Sequence, residues 1–155
     1  LDVDYGDIEL TNSRFLNIGT ASGADAVDVS KTKIMISNIQ INNVTDKGVS
    51  IGEGSTAIIK NGNISNVLVG LVAKDSSNLS VDFMRLSDIG LADTMAYRKK
   101  SHFNGAKILA SNVVGSVGKN IAQKGSSISF NGSEVKAVKV DIGDLYGSIM
   151  KSIKK

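Results

Sequence analysis

The densest run of positive charge in the chain could bind an anion. It reads Tyr97-Arg98-Lys99-Lys100-Ser101-His102 and combines three permanent cations with one imidazole and one aromatic ring. Several cations on one surface can hold an acidic polymer through charge-assisted hydrogen bonds. The candidate partner is therefore an acidic polysaccharide or a cell-envelope polymer. The ordinary alternative is a solvated basic turn, paired with Asp75 or Asp93, since runs of like charge usually face water.

The composition excludes several other kinds of site. The 155 residues include no Cys and one His, His102, which rules out thiolate metal sites, Cys nucleophiles and sites that need two imidazoles. Aromatic residues make up 5%, too few for a platform that stacks single-stranded nucleic acid. The formal net charge of +3 is a mild excess, which also disfavours nucleic acid as a partner. No apolar run approaches the about 20 residues of a membrane span.

A sequence repeat predicts the elements that position these side chains. Matching apolar residues recur at Leu10, Ile36, Ile59, Val81 and Ala110, in steps of 26, 23, 22 and 29 residues. Each period holds three short segments of alternating apolar and polar residues, the pattern of strands with one buried face. Three short strands per period describe one coil of a parallel β-solenoid. We therefore predict an all-β, right-handed parallel β-helix of about 5–6 coils with three short strands per coil.

The alternation also predicts which side chains face inward. Ile36, Ile59 and Val81 should stack as one interior row. The neighbouring outward row contains Met35 and Ile58, an exposed apolar patch of the kind that marks a contact with another domain or with a loop of the same chain.

Asparagines recur at two positions of the repeat, and both are interpreted as corners of the coil. Asn tolerates the left-handed backbone of a tight turn, and stacked amides can hydrogen-bond from coil to coil. Phe83 interrupts the first series, and there we expect an aromatic ring packed inward. The first series is Asn12, Asn38, Asn61 and Asn112, and the second is Asn17, Asn43 and Asn66, followed by Asp88.

The whole chain, residues 1–155, is predicted to be a single β-helix domain. Residues 1–140 form the coils and residues 141–155 a C-terminal cap, because apolar residues between Asp144 and Ile153 have the spacing of a short amphipathic helix. The chain begins at Leu1 without Met or a signal pattern. We therefore expect a piece of a longer protein, with an upstream domain as one partner.

The basic cluster is predicted to protrude from the solenoid as a loop. It follows the third strand of the fourth coil and precedes the longest period, and such loops often carry binding sites. Lys74 is placed one coil below Arg98, and Lys124 one coil above. Cations stacked about 4.8 Å apart repel one another unless an anion lies between them. The ligand-binding candidates are Lys74, Tyr97, Arg98, Lys99, Lys100 and His102.

Four segments resemble successive turns of bacterial right-handed parallel β-helix domains of the pectate-lyase-like superfamily. The closest likeness is to C-terminal β-helix modules of large surface or envelope proteins, some with a spore-coat-protein-H-like domain, and Leu145-Tyr146-Gly147 resembles the end of such modules. The resemblance implies a secreted or cell-surface location but no particular activity, because the superfamily includes lyases, hydrolases, epimerases and inert stalks. The four segments are residues 23–30, 46–55, 69–77 and 97–106.

The resemblance also implies where a metal could bind. Polysaccharide lyases of this superfamily use Ca²⁺ on a carboxylate cluster, together with a basic residue that removes a proton. The weak candidates for Ca²⁺ ligands here are Asp25, Asp28, Asp46 and Glu53. Asp25 and Asp28, three residues apart in a strand, should point to opposite faces. The sequence contains neither the Asp-Pro-His-type motif of related epimerases nor the paired Asp-Asp of galacturonan hydrolases.

These observations favour a non-catalytic β-helix module of an extracytoplasmic bacterial protein. Its role would be that of a structural stalk or of a carbohydrate- or adhesion-type binding unit. The alternative is a polysaccharide-active enzyme, a uronate lyase or an epimerase. We predict no catalytic residue and no cofactor, with Ca²⁺ as the one possible ion, because no acid/base constellation can be assembled on one face.

Overall fold

The chain folds into a parallel β-solenoid of about five turns, as the repeat predicts. The computed structural model describes residues 1–19, 23–144 and 147. Strands of successive coils pair in parallel, so that the sheet runs along the solenoid axis. The strands are β1 (Asp2–Asp4), β2 (Asp7–Thr11), β3 (Arg14–Ile18), β4 (Val27–Ser30), β5 (Lys33–Gly52), β6 (Thr56–Lys74), β7 (Asn78–Tyr97), β8 (Lys107–Val114), β9 (Asn120–Ala122), β10 (Ser127–Phe130) and β11 (Ser133–Glu134).

Each of the long strands β5, β6 and β7 makes up one complete coil. The strand β5 bends at Asn38 and Asn43, whose φ angles of 57° and 59° lie in the left-handed region. These bends divide it into the three short segments that the sequence predicts. We call the segments of each coil its first, second and third strands, and the sheets that they build the first, second and third sheets.

The register confirms the predicted alternation. Ile36 pairs with Ile59, and Ile59 pairs with Val81. All three side chains are buried, whereas the intervening Met35 and Ile58 are 46% and 41% exposed. Parallel stacking therefore builds one continuous apolar core through the solenoid.

The asparagine ladders form where the repeat places them. The Asn43 amide donates to Asn17 Oδ1 at 2.8 Å, and the Asn66 amide donates to Asn43 Oδ1 at 3.1 Å. In the first series, the Asn38 amide donates to Asn12 Oδ1 at 3.0 Å. The amides thus connect adjacent coils at corners where the backbone needs a residue that tolerates positive φ.

Phe83 corrects one expectation, because its ring lies outside the solenoid. Phe83 occupies the same left-handed corner as the asparagines, with φ 55°, and its side chain is 59% exposed. The corner directs every side chain at this position outward, and neighbouring Met84 fills the interior instead. The next coil compensates for the missing amide, since Asn112 donates to Asp82 Oδ1 at 2.8 Å.

The C-terminal region contains a strand that closes the last coil and a short helix. The last coil is closed by β11, which pairs antiparallel with β10. The short C-terminal helix is present at residues 142–144. Its first residue, Ile142, and the preceding Val140 pack against the outer face of the third sheet. Most of the helix predicted between Asp144 and Ile153, and the rest of the predicted cap at residues 145–146 and 148–155, lie outside the described residues. No helix in the described ranges is long and apolar enough to cross a bilayer.

Substitution of Ile59 tests the interior row. We expect Ile59→Asn to lower the free energy of unfolding by about 3–4 kcal/mol, because burial is lost and an amide is left without a partner. The neighbouring outward substitution Ile58→Asn should change it by about 0.5 kcal/mol or less. Chemical denaturation measures both. A larger loss in Ile58→Asn than in Ile59→Asn would show that the register is displaced by one residue.

Candidate functional site

A cleft of about 490 Å³ separates the third sheet from the C-terminal segment. Its floor consists of Lys47, Lys74 and Tyr97, which are all buried. Arg98 and Lys99 are exposed and form the rim, and residues 140–143 form the opposite wall. Four of the six predicted ligand-binding residues thus line one cavity: Lys74, Tyr97, Arg98 and Lys99.

Lys74 lines the cleft, but its ammonium points away from the basic cluster. It pairs in register with Tyr97 rather than lying directly below Arg98 as predicted. Its stem passes over Gly52, where an added Cβ would lie 2.6 Å from Lys74 Cε, so this path requires a glycine. The ammonium donates to Ser50 Oγ at 2.8 Å and to Asp28 Oδ1 at 3.3 Å. Its charge is therefore already matched by a carboxylate.

Lys47 holds two carboxylates at the bottom of the cleft. Its Nζ donates to Asp46 Oδ2 at 2.5 Å and to Asp25 Oδ1 at 3.1 Å. The side chains of Lys47 and Asp25 are each 10% exposed, and that of Asp46 is 6% exposed. Burial raises the pKa of Asp25, although Lys47 opposes the shift. Burial on its own would lower the pKa of Lys47. The negative charges of Asp25 and Asp46 have the larger combined effect, so the pKa of Lys47 is raised.

Each of the four carboxylates proposed for Ca²⁺ pairs with a lysine of this chain. Asp25 and Asp46 share Lys47, Asp28 accepts from Lys74, and Glu53 accepts from Lys100. Ca²⁺ needs six to eight oxygen ligands, whereas these carboxylates already accept hydrogen bonds from lysine ammonium groups. Within the described part of the chain, no group of three or more acidic or imidazole side chains is arranged to hold a metal.

The basic loop, residues 98–104, is anchored from below by a buried carboxylate. Asp75 is fully buried, and its Oδ1 accepts the backbone N–H groups of Lys99 at 2.7 Å and Lys100 at 2.8 Å. Ser76 Oγ accepts the N–H of Asn104 at 2.8 Å, which fixes the other end. Asp75 therefore pairs with this loop as one alternative predicted, but through the main chain, which leaves the side chains of Arg98 and Lys99 exposed to solvent.

Two predicted residues of the basic cluster lie outside the cleft. The Lys100 ammonium forms an ion pair with Glu53, on a coil below. That contact lowers the pKa of Glu53 and raises the pKa of Lys100 through their hydrogen bond. His102 is exposed, with its ring centroid 4.5 Å from that of Phe103.

Three parts of the cleft were not predicted from the sequence: Lys47, Gln123 and the C-terminal wall. Gln123 connects the two sides of the cleft, because its Oε1 accepts the Arg98 N–H at 2.8 Å and its Nε2 donates to the Val140 oxygen at 3.0 Å. The repeat did indicate Lys47, because this residue pairs in register with Val69, which in turn pairs with Ala92. A charged residue in line with such apolar residues must be buried together with a partner. The repeat carries no signal for residues 140–143, which follow the last coil.

Comparisons of this chain with protein-family models, with curated proteins and with solved structures find no match.

Replacing Lys47 tests the buried charge cluster. We expect Lys47→Met to lower the free energy of unfolding by about 3–5 kcal/mol at neutral pH, because two buried carboxylates lose their cation. The loss should shrink in mild acid, because burial raises the pKa of Asp25 and protonation of this carboxyl removes part of the uncompensated charge. Lys33→Met, which removes an exposed pair with Asp7, should cost about 1 kcal/mol or less. Chemical denaturation at several pH values measures the free energy of unfolding of both variants. Equal losses with the same pH dependence would contradict a role of Lys47 in neutralising the buried carboxylates.

Proposed function

We propose that this chain is a non-catalytic β-helix module of an extracytoplasmic bacterial protein that binds an acidic glycan or cell-envelope polymer at the cleft. The observation that carries the proposal is the pair Arg98 and Lys99 on the rim. Both side chains are exposed, and neither forms an ion pair with any described residue. Their cationic groups therefore remain available to an anionic ligand.

The backbone beneath these cations supports binding. Asp75 and Gln123 hold the main chain of Arg98, Lys99 and Lys100 in place before any ligand arrives. A loop that is already ordered loses less conformational entropy on binding. The cleft volume lies within the range of small-ligand sites, so one or two units of a polymer could be accommodated while the rest extends across the surface.

The ion pairs in the cleft support a binding role over a catalytic one. A lyase needs a basic side chain that is able to accept a proton from the substrate. Lys74 donates to Asp28 and Ser50, and Lys47 donates to Asp25 and Asp46, so both buried nitrogens are engaged by groups of this chain. The resemblance to pectate-lyase-like β-helix domains accommodates this role, since such domains also serve as stalks and binding units.

A salt series tests the binding site. We expect the protein to bind anionic glycans at low salt and to lose affinity steeply as salt rises, because exposed charges are screened over about 8 Å at physiological ionic strength. Arg98→Ala/Lys99→Ala should bind weakly at every salt concentration. The matched control Lys60→Ala/Lys107→Ala removes the same charge from exposed positions outside the cleft and should bind like the wild type. Equal retention of both variants would refute the site.

An activity assay tests the non-catalytic assignment. The protein is incubated with pectate, alginate and glycosaminoglycans in the presence of Ca²⁺, and unsaturated chain ends are followed by ultraviolet absorbance. We expect no turnover, because both buried lysines of the cleft are directed at acceptors of this chain and not at a bound substrate. Sustained turnover that disappears in Lys74→Ala or Arg98→Ala would identify the chain as a lyase.

A further inference from the structure

The cluster beneath the cleft has the components of an amide-forming reaction. Lys47 Nζ lies 3.1 Å from Asp25 Oδ1 and 3.5 Å from Asp25 Oδ2, so the nitrogen faces the whole carboxyl group. Asp46 Oδ2 contacts the same nitrogen at 2.5 Å and can take a proton from it. The backbone N–H of Lys47 donates to Asp25 Oδ1 at 3.1 Å, where an oxyanion would develop.

We propose that Lys47 and Asp25 condense to an intramolecular amide bond that covalently joins two successive coils, with Asp46 relaying the protons. The proposal concerns the chain's own maturation and does not depend on the proposed function.

The proposed reaction balances without any co-reactant. Asp46 accepts one proton from the Lys47 ammonium and passes it to the Asp25 carboxylate. The neutral amine then attacks Asp25 Cγ, and the N–C bond forms as one C–O bond weakens. A second proton leaves the nitrogen through Asp46 and joins the departing hydroxyl, so that water is released and Asp46 returns to its initial state.

Burial prepares Asp25 to be the electrophile. A carboxylate resists nucleophilic attack, whereas the neutral acid accepts it, and burial raises the pKa of Asp25 towards the neutral form. The pKa of Lys47 is raised as well, so the ammonium is the resting state and the transfer to Asp46 must come first. Asp46 has acceptor capacity for this, since its buried Oδ1 has no hydrogen-bond donor among the described residues.

Two physical terms favour the amide over the ion pair. In dilute solution water opposes condensation, but groups held in reactive geometry reach effective concentrations of about 10⁵–10⁸ M. The reaction also replaces two buried opposite charges by one neutral group, which removes their desolvation cost. The cleft beside the cluster gives the released water a path to solvent.

The other lysine–carboxylate pairs of the described chain lack this arrangement and provide internal controls. Lys74 contacts Asp28, whose side chain is 37% exposed, and no second carboxylate pairs with its nitrogen among the described residues. Lys100 and Glu53 meet at the surface, with side chains 44% and 22% exposed. Of these three lysines, only Lys47 is both buried and in contact with a second carboxylate that can relay protons.

The test is the intact mass of the purified full chain after complete denaturation. We expect the wild type to be lighter than its sequence by one water molecule. Lys47→Arg keeps the positive charge but should show the full mass, as should Asp25→Ala, which removes the electrophilic carboxyl group. Asp46→Asn should show no water loss or only a partial one. Lys74→Arg should retain the loss. In tryptic digests cleavage after Lys47 should be blocked, and the peptide that contains Asp25 should be joined to the one that contains Lys47.

A wild-type mass equal to that of the sequence, with normal cleavage after Lys47, would overturn the proposal. So would a water loss that persists in Lys47→Arg or maps to another residue, such as a cyclised aspartate. Because the decisive measurement is made on the wild type, a variant that fails to fold leaves the test intact. Glycan binding is measured separately, so failure of one proposal does not imply failure of the other.

Discussion

The structure depends on one constraint, the parallel register that places equivalent residues of successive coils about 4.8 Å apart. We call such a series of equivalent residues a column. Every side chain must be compatible in size and charge with the residues directly above and below it in its column. Aliphatic residues satisfy this requirement along Ile36, Ile59 and Val81, and amides satisfy it along Asn17, Asn43 and Asn66. Cations cannot form such a column without counter-charges, because like charges at this distance repel. The columns therefore determine where charge can be placed.

The outer face of the third sheet shows how the chain meets this constraint. Along one column the residues change from Asp28 and Ser50 to Val72 and Met95, so one end is polar and the other apolar. At the polar end Lys47 and Lys74 reach to carboxylates of neighbouring coils, and at the apolar end the C-terminal segment covers the surface with Val140 and Ile142. The cleft lies where the two kinds of surface meet.

The repeat predicts the fold well because period-2 alternation and a fixed step determine where each Cβ points. It predicts less of the site, because long side chains are not placed by the direction of Cβ. Lys74 could extend towards Arg98 or back over Gly52, and the choice depends on Asp28, 46 residues earlier in the chain. Phe83 was misplaced since a hydrophobic residue was expected to be buried, whereas the left-handed corner fixes its direction regardless of type. The docking of residues 140–143 follows no repeat and could be found only in three dimensions.

The distribution of charge along the axis bears on where an anion would approach. The first coil carries Asp2, Asp4, Asp7 and Glu9 on its surface, and all four are exposed. The far end carries the exposed cations Lys119 and Lys124, in addition to Arg98 and Lys99 on the rim of the cleft. A molecule with a small net charge can therefore present a negative end and a positive end, and the field of the positive end adds to the attraction at the rim.

Buried lysines contribute little to that field, because Asp25, Asp46 and Asp28 cancel their charge within a few ångströms. The affinity of the cleft for an anion then depends on the exposed cations, and the buried ones serve to hold the coils together.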